Sequence, residues 1–101
     1  NINRYITSLC LYDNDNLMIM GGKERKSKFL KSCELYNINT NKMINISDMN
    51  IERSKAGSLS IKELNKIIIA GGLGTVNTSM DKTNKISELY DIHKNTWHYI
   101  N

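Results

Sequence analysis

The sequence predicts an all-β chain built from two copies of one four-stranded unit. Three observations carry this. An apolar run closed by paired glycines recurs, LMIMGG at 17–22 and IIIAGG at 67–72, with Gly22 and Gly72 separated by 50 residues. A Glu-Leu-Tyr triplet follows each pair, and Glu34 and Glu88 stand 54 residues apart. No stretch carries the apolar spacing of an amphipathic helix of about ten residues. Self-similarity at one period is the mark of a repeat architecture. The division falls as unit 1–49 and unit 50–101.

The two spacings differ by four residues, so the second unit is longer between its glycines and its triplet, and length variation of that kind marks a loop. Upstream, Arg4 lies 17 residues before Gly21 and Arg53 lies 18 before Gly71. Each unit then reads as four short runs. The first, 6–12 or 56–61, ends in a polar stretch, 13–16 or 62–65, suited to a hairpin turn. The second, 17–20 or 67–70, is almost wholly apolar, as expected of a strand covered on both faces. Its terminal glycines fit a place where the backbone turns or approaches a neighbour too closely for a Cβ. The third, 32–38 or 86–92, alternates, with Leu35 and Leu89 opposed to Glu34, Tyr36, Glu88 and Tyr90. A second polar stretch, 39–42 or 93–96, leads to an outer strand beginning at Met43 or Trp97. Four short strands joined by tight turns at a fixed period describe one blade of a β-propeller.

These residues resemble the kelch repeat. The second unit carries its pattern of an apolar strand ending in two glycines, then Tyr90, then Trp97 seven positions later; in the first unit Met43 follows Tyr36 at the same distance. Met49 and Arg53 are similar to the family's Met-Pro-x-x-Arg linker, with Asn50 in place of the proline. Further departures are Met43 for the tryptophan, and Met18 and Ile68 where the family often has tyrosine. The resemblance implies two four-stranded antiparallel blades of a kelch-type propeller. A ring needs about four to eight blades, so further blades from the same chain or from other copies would complete it.

In kelch proteins the partner sits on the loop after the glycines and on the segment entering the inner strand. Carried over by position, this singles out Lys23, Arg25, Lys26 and Lys28 in the first loop, Asn77 and Thr78 in the second, and Arg4, Arg53 and Ser54 on the entering segments. Arg53 would grip a carboxylate in a two-pronged geometry; its alternative role, with Arg4, is to brace neighbouring loops. The first role predicts that Arg53→Ala weakens binding with little loss of folding, whereas Gly72→Val unfolds the chain. The repeat assigns Tyr36, Tyr90 and Trp97 to the core, and Glu34 and Glu88 to structural hydrogen bonds.

Composition excludes several classes. The apolar share of 40% and charged share of 24% suit a folded chain, and no apolar run is long enough to span a bilayer. The net charge of +4 comes from one stretch, 23–31, where five basic residues face Glu24, so no basic stripe exists to follow a nucleic-acid backbone. That stretch reads as a solvated loop or, alternatively, as a site for an acidic protein or peptide partner. Cys10 and Cys33 lack metal-site spacing and are expected as reduced thiols. The sequons at Asn45 and Asn77 are expected by chance in so Asn-rich a chain. His93 and His98 have no ligand partners at metal spacing, and no GxSxG, P-loop or HExxH pattern occurs. No catalytic residue, metal or cofactor is therefore assigned. The expectation is a non-enzymatic, cytoplasmic protein-interaction module, for which the resemblance implies substrate recognition in a ubiquitin-ligase adaptor, or a scaffold. The alternatives are a non-catalytic propeller supporting an oxidase or phosphatase domain, and a sugar-binding ring of identical chains.

Overall fold

The structure, a computed structural model, describes residues 4–24, 28–74 and 86–100. Its strands are β1 (Ser8–Leu11), β2 (Asn16–Met20), β3 (Lys23–Glu24), β4 (Lys28–Phe29), β5 (Cys33–Asn37), β6 (Lys42–Ile46), β7 (Gly57–Ile61), β8 (Lys66–Ala70), β9 (Ser87–Asp91) and β10 (Thr96–Ile100). They form two four-stranded antiparallel sheets, β1-β2-β5-β6 and β7-β8-β9-β10, and a small hairpin, β3-β4. The fold is all-β, with one 3-10 turn at Lys62–Leu64, and no helix among the described residues is long and apolar enough to cross a membrane. The boundary expected after Met49 falls in the segment 47–56 that joins the sheets.

The polar stretches close their turns with their own side chains. Asp13 Oδ1 accepts the backbone N–H groups of Asp15 and Asn16 at 2.8 and 2.9 Å, and Asn37 Oδ1 accepts those of Asn39 and Thr40 at 2.9 and 3.0 Å. Asn41, Asn65 and Asn95 take left-handed backbone angles, φ 58°, 54° and 53°, which asparagine tolerates better than most residues. These local bonds fix hairpin register, and register decides which side chains face the core.

The core lies between the two sheets. Met18, Met20, Cys33 and Leu35 point from the first sheet, Ile67, Ile69, Tyr90 and Trp97 from the second, and Met49 enters from the joining segment. The Tyr90 and Trp97 rings sit 4.9 Å apart at 45°, a tilted arrangement favourable to their quadrupoles. At the inner edge β1 and β7 are tied by side chains: Ser8 Oγ donates to Ala56 O at 2.8 Å and Ser58 Oγ to Leu9 O at 2.9 Å.

Three expectations need correction. The second run of each unit is covered on one face only, since Leu17, Ile19 and Ile68 are half-exposed, because each sheet has a single neighbour here. Tyr36 and Met43 are likewise not core; Met43 is 37% exposed while its counterpart Trp97 is 8% exposed. The stretch 23–31, expected as a loop, contains the β3-β4 hairpin.

The paired glycines differ in what they require. Gly71 (φ +73°) has nothing within 4 Å of an added Cβ, so only its left-handed backbone disfavours a side chain. Gly72 (φ +86°) has the carbonyl oxygen of Ser54 inside contact distance of such a carbon and the Ala56 Cβ at 3.0 Å. Gly71→Ala is expected to cost about 1–2 kcal/mol for the left-handed backbone. Gly72→Ala should cost clearly more, because Ser54 must move. Urea melts of the two variants check this, and equal losses would remove the close-approach argument.

Candidate functional site

Each sheet is entered by an arginine, and both arginines are spent on the same task. Arg53 Nη1 donates to the carbonyls at the two roots of the loop after the second glycine pair, Gly71 O at 3.1 Å and Ile86 O at 2.9 Å. Its Nη2 pairs with Glu88 Oε2 at 2.9 Å, and both side chains are fully buried. Arg4 repeats the pattern: Nη1 donates to Gly21 O and Ser32 O, both at 2.9 Å, and Nη2 reaches Ser32 Oγ at 3.1 Å and Glu34 Oε1 at 2.8 Å. A planar guanidinium with several donors is the side chain that can hold two loop ends and one carboxylate together.

Glu88 is engaged from a second side. Its Oε1 accepts the backbone N–H of Asn50 at 2.8 Å and the Asn50 side-chain amide at 2.9 Å. Asn50 stands where the related pattern has proline, which has no N–H to give. The joining segment is also clasped at Ser47, whose N–H donates to Asn95 Oδ1 at 3.0 Å, whose hydroxyl donates to Asn95 O at 2.6 Å, and whose carbonyl accepts Trp97 Nε1–H at 3.0 Å. Tyr90 O–H donates to the same Asn95 Oδ1 at 2.6 Å, and Tyr36 donates to Asn41 in the same relation.

Beyond the glycines the chain continues as a brace between entry segment and loop. Tyr5 and Lys23 exchange backbone hydrogen bonds at 2.9 and 2.8 Å, and Ser54 and Leu73 do so at 2.8 and 2.7 Å. Next to the hairpin lies a groove of about 400 Å³ lined by Glu24, Lys28, Phe29, Leu30, Lys31, Ser32, Asp48 and Glu52. Lys23 sits over the Phe29 ring at 5.1 Å, and Lys28 lies 3.6 Å from Glu24 with its side chain largely in solvent, where such a pair adds little stability. A second cavity of about 310 Å³ opens between the β1-β2 and β7-β8 turns, lined by Leu11, Tyr12, Asp13, Asn14, Ser60, Lys62, Asn65 and Ile92.

The predicted site residues therefore divide. Arg53 and Ser54 are buried, at 0% and 1% exposure, and the Arg4 side chain is 6% exposed. None of the three is displayed for a partner, and the two-pronged capture expected of Arg53 is replaced by bracing, because its Nη donors are taken up within the chain. The expectation that Arg53→Ala would leave folding intact falls with it. Lys23 and Lys28 lie on the hairpin, with Lys28 exposed. Arg25, Lys26, Asn77 and Thr78 lie outside the described residues. Sequence reasoning missed that Glu34 and Glu88 are the arginines' counter-ions, although both residue types recur at matching places in the two units. It noted Asn50 only as a departure from a pattern and missed its bonds to Glu88, and it missed Ser47 altogether.

Burial pushes the Cys33 thiol up to about 12 and that of Cys10 up to about 11, so both stay protonated near neutrality. Among the described residues no group of His, Cys, Asp and Glu is placed to hold a metal.

No family model and no curated protein matches the chain. Among solved structures, a fungal alcohol oxidase of the AA5 family, in complex with copper, is similar to it with a TM-score of 0.83 and 13% identity, over 100% of this chain and 23% of the oxidase chain. At that identity the likeness is one of fold, and this chain spans only a minor part of the oxidase's length.

Removing one member of a buried pair leaves its partner charged and unpaired, so Arg53→Ala should cost about 3–5 kcal/mol. A double variant, Arg53→Met with Glu88→Gln, should recover part of that, as read by denaturant midpoints; a small loss in the single variant would contradict the bracing role. For the thiols the folded state holds protons that the unfolded state releases. The thiols' contribution to stability is then constant below pH 9.0, the ordinary thiol value, and is lost as pH rises from there through about 11 and 12. Replacing both cysteines with alanine should reduce that alkaline slope in melts taken between about pH 8 and 10, below the range where the raised Tyr12 and Tyr90 hydroxyls add their own.

Proposed function

We propose that the chain is a pair of kelch-type propeller blades that presents loops to a protein or peptide partner. One observation supports this above others: each entry arginine grips both roots of the loop that comes after the glycines in its own repeat. A loop anchored at both ends on a packed frame is free to vary in length and sequence between those ends without disturbing the sheets. The four-residue difference between the two loops is an instance of that freedom within this chain.

The recognition surface in this reading is the β3-β4 hairpin and its groove. Lys28 and Lys31 supply positive charge, while Glu24, Asp48 and Glu52 line the same groove, and Phe29 offers a half-buried ring. In this reading the acidic residues of a bound peptide meet the two lysines at the rim and its apolar side chain meets Phe29, with the three carboxylates of the groove setting which positions of the peptide must not be acidic. Substrate recognition for a ubiquitin-ligase adaptor, or scaffolding, is the role that kelch resemblance implies for such a surface.

A second reading rests on the fold likeness to the copper-containing alcohol oxidase. Here the blades are a non-catalytic support for an enzyme domain, and the loops meet that domain rather than a separate partner.

Selection from a displayed peptide library separates the two. Retained peptides should be enriched in Asp and Glu next to Leu, Phe or Tyr. Lys28→Glu with Lys31→Glu should weaken the best of them about fivefold, since two rim charges contribute on the order of 1 kcal/mol. Recovery of no sequence preference, or equal binding by the reversed variant, would count against the peptide-binding reading.

A further inference from the structure

The cavity between the β1-β2 and β7-β8 turns lies at the end of the sheets opposite the glycine loops. Register places it there. Ser8 pairs with Met20, beside the first glycines, while Leu11 pairs with Leu17 at the turn; Gly57 pairs with Ala70, beside the second glycines, while Ile61 pairs with Lys66 at the turn. One wall comes from each sheet, so this chain supplies both. At about 310 Å³ the cavity stands at the small end of the range for small-molecule sites, roughly 300 to 1,000 Å³. Its inner surface is apolar, since Tyr12 and Ile92, each half-buried, line it and pack against the core from opposite sheets.

The rim is charged, with opposite signs on the two walls. Asp13 stands on the first wall and Lys62 on the second, both exposed, and no ion pair joins them. Asp13 Oδ1 is taken by the N–H groups of Asp15 and Asn16 and by the Asn16 amide, whereas Oδ2 accepts only that amide, at 3.1 Å. A carboxylate oxygen can accept about two hydrogen bonds, so Oδ2 keeps one position open. The Lys62 ammonium bonds no group among the described residues. Both turns are fixed without a ligand: Tyr12 and Asp13 donate to Asn16 O at 3.0 and 3.3 Å, Asn65 N–H donates to Lys62 O at 3.2 Å, and Asn65 O accepts Ile92 N–H at 3.1 Å. Walls set in advance lose little in ordering when something binds.

An apolar cleft with a carboxylate on one lip and an ammonium on the other matches a small molecule that carries both charges beside an apolar body. A simple organic acid would meet Lys62 but face Asp13, and a simple amine would do the reverse; a zwitterion meets both. We propose that this cavity binds a free α-amino acid with an apolar side chain, its ammonium at Asp13, its carboxylate at Lys62 and its side chain between Tyr12 and Ile92. The Ser60 hydroxyl and the Asn65 amide line the same cavity and offer further donors to the carboxylate. The site is independent of the peptide-binding reading, whose groove lies at the other end of the sheets.

An amide-resolved NMR titration of the full chain with L-phenylalanine and with L-leucine tests this. Saturable shifts at Tyr12, Asp13, Ser60, Lys62 and Ile92 are expected at millimolar ligand, with none at Lys28 or Lys31. Glycine, which has both charges and no side chain, should give none. N-acetyl-phenylalanine lacks the ammonium and phenylalaninamide lacks the carboxylate, so each should bind about fivefold more weakly than L-phenylalanine, as suits the loss of one exposed charge pair. Two variants then match each charge to its partner. Lys62→Gln should bind L-phenylalanine and phenylalaninamide alike. Asp13→Asn, which keeps the acceptor that closes the turn, should bind L-phenylalanine and N-acetyl-phenylalanine alike. Both positions are exposed, so circular dichroism should show both variants folded. The absence of saturable shifts at these residues, or equal affinity of the parent chain for phenylalanine and its two derivatives, overturns the proposal, whatever the hairpin groove binds.

Discussion

A buried arginine tied to a buried glutamate organises each half of this molecule. Taking both charges out of water is expensive, and their mutual attraction offsets that only where the remaining donors and acceptors are satisfied. Here the Nη atoms of Arg53 bond two carbonyls and one carboxylate, and the second oxygen of Glu88 is taken by Asn50. The pair therefore does more than neutralise itself. It joins the entry segment, both ends of the glycine loop and the third strand of the sheet at one point, which an apolar pair of similar volume would not specify. Some cost remains, since Nε of both arginines and the Ser54 hydroxyl are buried without a hydrogen-bond partner.

Much of the fold was legible because repetition is visible without knowing any structure. The strand order, the tight polar turns and the close approach at Gly72 all come from residues whose local chemistry is strong. Paired glycines, asparagines able to adopt left-handed angles, and short β-branched runs leave little else to build. The site was harder to read. Arg53 looked like a surface ligand because sequence shows a residue's chemistry and not its burial; nothing in its flanking residues says that Glu88, 35 positions away, closes over it. The signal that could have found the pair was its recurrence, since Arg4 and Glu34 stand at matching places in the other repeat. Asn50 was legible as a departure from a pattern but not as a gain. Only coordinates show that its backbone N–H reaches a carboxylate.

The two repeats are alike in sequence but not in environment. Tyr90 and Trp97 are covered by the first sheet, while Tyr36 and Met43, their counterparts, face outward. Methionine in place of tryptophan fits an exposed position less demanding of shape, because its flexible thioether fills space without fixing a geometry. The cysteines show the converse: Cys33 occupies the inner layer and behaves as a small apolar side chain.

The segment between the sheets is bonded to both: Met49 and Arg53 donate their backbone N–H groups to Lys31 O and Leu30 O, and Arg53 O accepts Gly22 N–H, while side chains of the segment reach into the second sheet. Ser47 accepts the Trp97 indole N–H and is clasped by Asn95, and Asn50 and Arg53 both bond Glu88, so residues that trail the first repeat in sequence are parts of the second sheet's assembly. Excising a minimal second unit at the sequence boundary after Met49 would strip the tryptophan of its acceptor and Asn95 of its ligand. A cut just past Ile46 would keep that clasp with the second sheet but would take from the first the Met49 and Arg53 backbone bonds to Lys31, Leu30 and Gly22, so the joining segment works as a shared hinge-pin and neither half is a self-contained unit.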